Sequence, residues 1–216
     1  MTLQLSIDGK DLGATLGTPS NARGLVIFAH GSGSSRHSPR NRFVARVLNE
    51  ARFATLLLDL LTQDEEEIDS TTAHLRFDVA LLARRIDLAT SWCRQRPEFE
   101  NAPIGYFGAS TGAGAALLAA AARKDIGAIV SRGGRPDLAG PALAGVHVPT
   151  LLIVGERDAT VLDLNRRTAA QIGAHCEIAV VPRAGHLFEE AGALEQVARL
   201  AQEWFSRYLA EQSLGV

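Results

Sequence analysis

The chain has 216 residues, of which 46% are hydrophobic and 21% charged, with a formal net charge of −2. That is room for one domain with a sizeable core, and the balance of an ordinary globular protein. Without a basic tract there is no electrostatic footprint for nucleic acid, and no apolar stretch is long enough to span a bilayer, so neither nucleic acid nor membrane is expected as a partner.

At the N-terminus Leu3-Gln4-Leu5-Ser6-Ile7 alternates as a half-buried strand. Asp8-Gly9 is then a strong hairpin turn before a second segment ending near Gly17, which predicts an antiparallel edge. From residue 25 the texture changes to short, almost wholly apolar runs: LVIFAH (25–30), ATLLLDLL (54–61), PIGYFG (103–108), IGAIVS (126–131), TLLIVG (150–155) and EIAVVP (177–182). Such runs suit strands buried on both faces. Between them, helical spacing covers 39–52, 73–96, 111–124, 162–172 and 189–209. Strands alternating with helices predict an α/β fold, a mostly parallel sheet with helices on both faces. No linker or repeat divides the chain, so one domain over 1–216 is expected. The acidic run Asp64-Glu65-Glu66-Glu67 reads as a solvated loop rather than a metal site, because no histidine neighbours it and carboxylate-rich surface loops are common. Cys93 and Cys176 form no disulfide framework and read as small buried hydrophobes. With no leader-like start, a cytoplasmic, reduced setting is expected.

The stretch Gly108-Ala109-Ser110-Thr111-Gly112 has the form G-x-S-x-G. In a chain of this composition about 0.1 such matches arise by chance, so its context must decide. Ligands of an open parallel sheet bind at the carboxyl ends of its strands. Ser110 lies there, between a strand ending near Phe107 and a helix beginning near Thr111. A serine hydroxyl needs a histidine to take its proton and a carboxylate to hold the imidazole. His186 follows the last strand and Asp158 the strand TLLIVG, both at the same edge, with Glu156 and Asp163 as neighbouring alternatives for the acid. His175 and His147 fall at the opposite edge, and His37 and His74 have no strand end to place them. The order Ser110, Asp158, His186 is one of the known triad orders. Backbone N–H groups for an oxyanion would come from Thr111 and from Ser32, in the glycine-rich loop His30-Gly31-Ser32-Gly33-Ser34-Ser35. That loop alone would also suit an anion, but it lacks P-loop and dinucleotide spacing.

On His30-Gly31-Ser32-Gly33, Gly108-Ala109-Ser110-Thr111-Gly112, Gly155-Glu156-Arg157-Asp158 and Gly185-His186 the chain resembles the α/β-hydrolase superfamily over nearly its whole length. Within it, the resemblance is to the small, lidless dienelactone-hydrolase-like proteins. It implies an esterase without metal or cofactor. Dienelactone hydrolases use a cysteine nucleophile where this chain has Ser110, a departure that favours a general carboxylesterase. Similar domains are found beside phosphoribosyltransferase domains, but nothing here resembles a phosphoribosyltransferase site.

Between Ser131 and Thr150 there is room for a loop and one helical turn rather than a helical lid, which predicts an open, shallow site for small or short-chain esters. Arg36, Arg40, Arg42, Arg132 and Arg135 flank the site loops. They are candidates for anchoring a substrate carboxylate or phosphate, or else for pairing with local acids. A thioesterase or acyltransferase on the same triad, and a non-catalytic ligand-binding protein of this fold, are the alternative functions. No helical stripe compels pairing of protomers, so monomer and homodimer both stay open.

Overall fold

The computed structural model describes residues 1–209. Eight strands form one sheet: β1 (Thr2–Ile7), β2 (Lys10–Gly17), β3 (Leu25–Ala29), β4 (Ala54–Leu58), β5 (Ile104–Ala109), β6 (Ile126–Arg132), β7 (Thr150–Gly155) and β8 (Cys176–Val181). Their order is β1-β2-β4-β3-β5-β6-β7-β8. The first two strands pair antiparallel with each other, β2 pairs antiparallel with β4, and every other pair is parallel. The helices are α1 (Pro39–Glu50), α2 (Gln63–Thr72), α3 (Val79–Arg94), α4 (Thr111–Ala121), α5 (Ala159–Ala169) and α6 (Ala193–Tyr208), with 3-10 segments at Leu75–Phe77 and Pro136–Gly145.

The two-residue period of a strand explains why the central runs are apolar throughout. In β3, Leu25, Ile27 and Ala29 join the core layer under α3 and α4, while Val26 and Phe28 join the layer under α1 and α6. β5 divides likewise, Ile104 and Tyr106 on one face and Phe107 on the other. The antiparallel N-terminal hairpin, the parallel sheet and the helices on both faces stand as the sequence led us to expect.

Element boundaries differ where capping chemistry overrides hydrophobic spacing. The acidic run 64–67 is helical rather than a loop: Thr62 Oγ1 accepts from Glu65 N–H while Glu65 returns a bond to Thr62 N–H, a capping box that starts α2. Glu65 then meets Arg85 with both carboxylate oxygens at 2.7 Å. Arg85 is only 2% exposed and also donates to the Leu60 carbonyl, so this pair ties α2 and α3 to the end of β4. The helix expected from residue 73 begins at Val79, because Ala73 takes a left-handed φ of 52° at the end of α2 and Asp78 caps Leu81 N–H. Cys93 is buried, whereas Cys176 is half-buried on the edge strand β8.

Candidate active site

Ser110 is at the turn from β5 into α4, with φ 50° and ψ −123°. A non-glycine residue with positive φ is strained, and such strain persists only where the surroundings over-determine it. Here Ser110 N–H donates to the Arg132 carbonyl at 3.2 Å, and the Ser110 carbonyl accepts from Ala113 and Arg135 N–H at 3.0 and 3.1 Å. The flanking glycines make the turn possible. A Cβ on Gly112 would meet the carbonyls of His30 and Ala29, and one on Gly108 the backbone of Ala113, well inside van der Waals distance. α4 can therefore lie directly against the loop after β3, its first turns built from buried small residues.

Asp158 precedes α5 as its N-cap residue but makes no side-chain cap bond. Its carboxylate reaches across to His186 instead, Oδ2 lying 2.6 Å from Nδ1. The imidazole, on the loop after β8, is 42% exposed at its side chain, against 14% for the carboxylate. Bonding at Nδ1 leaves Nε2 available to exchange a proton. Of the alternative acids, Glu156 accepts from Arg183 N–H and Asp163 pairs with Arg167 within α5.

Ser110 and His186 line one cavity of about 230 Å³ together with Gly31, Ser32, Ser34, Ser38, Arg40, Asn41, Ala109, Arg132 and Leu187. Among the described residues, neither Ser32 N–H nor Thr111 N–H has a protein acceptor. The loop carrying Ser32 is pinned by His30. Leu60 N–H donates to His30 Nε2 at 3.0 Å, which places the ring proton on Nδ1, 2.9 Å from the Gly31 carbonyl. Burial pushes the His30 pKa down, so the imidazole stays neutral and holds both bonds. In the sequence His30 was only one letter of the loop motif; its reach to Leu60, 30 residues away, became visible in the fold.

The five flanking arginines separate by environment. Arg36 is ion-paired with Asp59, Arg135 forms a bidentate pair with Asp137 at 2.7 and 2.8 Å, and Arg42 opens onto a separate depression beside Asn49 and Thr55. Only Arg40 and Arg132 line the cavity with Ser110. His37 and His74 lie outside it, and His175 is on the opposite edge, 2.6 Å from Glu177 and stacked on Trp204. Between β6 and β7 the chain has the 3-10 segment Pro136–Gly145 and no large lid. No helix among the described residues is long and apolar enough to cross a membrane.

The sequence model of the Dienelactone hydrolase family matches residues 12–210. A solved dienelactone hydrolase from Anabaena variabilis is 55% identical, covers 97% of each chain and superposes with a TM-score of 0.94. Est1E from Butyrivibrio proteoclasticus, solved with ferulic acid bound, shares the fold at 19% identity, covering 96% of this chain and 99% of its own, with a TM-score of 0.80. A curated relative from Mycobacterium tuberculosis, provisionally named a phosphoribosyl transferase, is 58% identical over 195 residues. The match takes in 90% of this chain, and the chain spans 43% of that relative's length.

Proposed function

Because this chain belongs to the dienelactone hydrolase family of α/β hydrolases, we propose that it is a serine hydrolase cleaving small carboxylic esters through an acyl-serine intermediate. The observation that carries this reading is the placement of Ser110 in a strained turn on the cavity that His186 also lines, with Asp158 2.6 Å from the imidazole. Ser110 Oγ attacks the ester carbonyl while His186 Nε2 takes its proton. Asp158 keeps the imidazole in the tautomer that leaves Nε2 free and stabilises the imidazolium that forms. The tetrahedral oxyanion is held by the N–H groups of Ser32 and Thr111, the latter at the positive end of the α4 dipole. His186 returns the proton to the leaving alcohol, and water, deprotonated by the same imidazole, releases the acid and restores Ser110.

The cavity of about 230 Å³ supports short acyl chains, since it lies below the usual size of pockets for drug-sized ligands. The transferase name of the mycobacterial relatives belongs to proteins of which this chain spans 43%. We read the chain as working in the cytoplasm on a small-molecule ester. The test is turnover of p-nitrophenyl acetate, butyrate and a long-chain ester by wild type and Ser110→Ala. Acetate and butyrate are expected to be cleaved faster than the long-chain ester. Ser110→Ala is expected to lower kcat by about four to six orders of magnitude. Hydrolysis surviving in purified Ser110→Ala would overturn the reading.

A further inference from the structure

We propose that the cavity beside Ser110 recognises a phosphate group carried by the ester substrate, holding it between Arg132 and Arg40. The inference rests on the esterase reading above.

Arg132, the last residue of β6, is 7% exposed, and among the described residues it has no carboxylate partner. Its hydrogen bond goes to Asn41 Oδ1 at 3.4 Å, its guanidinium faces the Phe188 ring at 5.9 Å, and its Nε has no acceptor. The other arginine buried this deeply, Arg85, is neutralised by a bidentate carboxylate. Arg40 compounds the imbalance: among the described residues its Nε is likewise unpaired, and its ion-pair partner Glu189 is 3.6 Å away and largely exposed. Burial, and then the charge of Arg40, pull the Arg132 pKa down to about 10, which still leaves a cation at neutral pH. An unmatched buried charge is costly to a fold. It is accounted for when the missing anion arrives with the substrate, in a cavity whose lining includes no Asp or Glu.

The donor set favours phosphate over carboxylate. Two guanidinium groups, the Asn41 amide and the hydroxyls of Ser34 and Ser38 line the wall near Ser110. Together they offer about two positive charges and more donors than the two oxygens of a carboxylate use, whereas a phosphate monoester presents three terminal oxygens and nearly two negative charges. The phosphate is bound and not transferred: the bond broken remains the carboxylic ester at Ser110. The substrate class is a small ester bearing a phosphate within a few bonds of its acyl carbon.

The test measures binding apart from turnover. Inorganic phosphate and acetate are titrated by calorimetry into Ser110→Ala protein, and into the same protein carrying Arg132→Met, Arg132→Lys or Arg40→Met. We expect one phosphate per chain, bound at least about tenfold more tightly than acetate. Arg132→Met should weaken phosphate binding about tenfold or more, Arg40→Met less, and Arg132→Lys should retain part of the affinity because the charge survives without the fork. Acetate bound as tightly as phosphate, or phosphate affinity unaltered in both methionine variants, would overturn the proposal. Failure of the esterase reading would appear separately, as wild-type protein that does not cleave p-nitrophenyl acetate.

Discussion

Two cavities flank the loop Gly31–Ser35, and both contain arginine. On the side facing α2, a cavity of about 280 Å³ is lined by Leu61, Glu66, Asp69 and Arg76. There Arg76 Nε pairs with Asp69, whose carboxylate also accepts from the N–H groups of Leu75 and Arg76, so the cation is matched within the protein and closes the chain after α2. On the other side, facing Ser110, Arg132 has only the Asn41 amide oxygen among the described residues. The guanidinium matched by Asp69 holds the chain together after α2, whereas the one beside Ser110 has no carboxylate partner among the described residues. Residue type alone does not separate the two; the carboxylate inventory does.

The largest effect should be catalytic and confined to the Ser110 side. Asp158→Asn retains the shape of the acid while favouring the wrong imidazole tautomer, and should lower kcat for p-nitrophenyl acetate by about 10⁴-fold, read by steady-state kinetics. Next comes the Arg85–Glu65 pair that ties α2 and α3 to the end of β4. Arg85→Ala strands Glu65 without its partner and should lower unfolding free energy by about 3 kcal/mol in urea denaturation.

The direct contrast pairs two substitutions of one kind with opposite expected signs. Arg76→Met leaves Asp69 without its cation and should lower Tm, while Arg132→Met removes an unmatched charge and should raise Tm by about 2–4 °C in differential scanning calorimetry. Equal losses in both would mean that the Arg132 charge is matched as well as that of Arg76.

The smallest effect concerns His30, under the shared loop. Its folded pKa lies below the ordinary 6.5, so its contribution is intact above about pH 6.5 and lost as pH falls through the folded value. Tm should therefore drop between pH 7 and pH 5, and His30→Gln should flatten that slope; identical slopes would show that His30 does not set it.

Much of the architecture was legible because parallel strands buried on both faces leave continuous apolar runs, and because Ser110, Asp158 and His186 each follow one of those runs. The match of Asp158 to His186 over 28 residues needed only the rule that sites gather at one sheet edge. Less legible was the acidic run, read as loop although Thr62 and Glu65 have the spacing of a capping box. The arginines were legible only as a group. Arg36 finds Asp59 23 residues away, and Arg132 meets Asn41 across 91, separations at which linear spacing says nothing of who is paired. Arg135 and Asp137, two apart, form the one pairing that the sequence could have suggested.

The proposed mechanism requires Ser110 to be an activated nucleophile. Exposure of the protein to a fluorophosphonate, followed by intact-mass and peptide mass spectrometry, tests it most directly, because only an activated serine reacts at an appreciable rate. One adduct per chain is expected, on the peptide carrying Ser110, with labelling greatly slowed in His186→Ala. An unlabelled wild-type protein, or an adduct on any other serine, would contradict it.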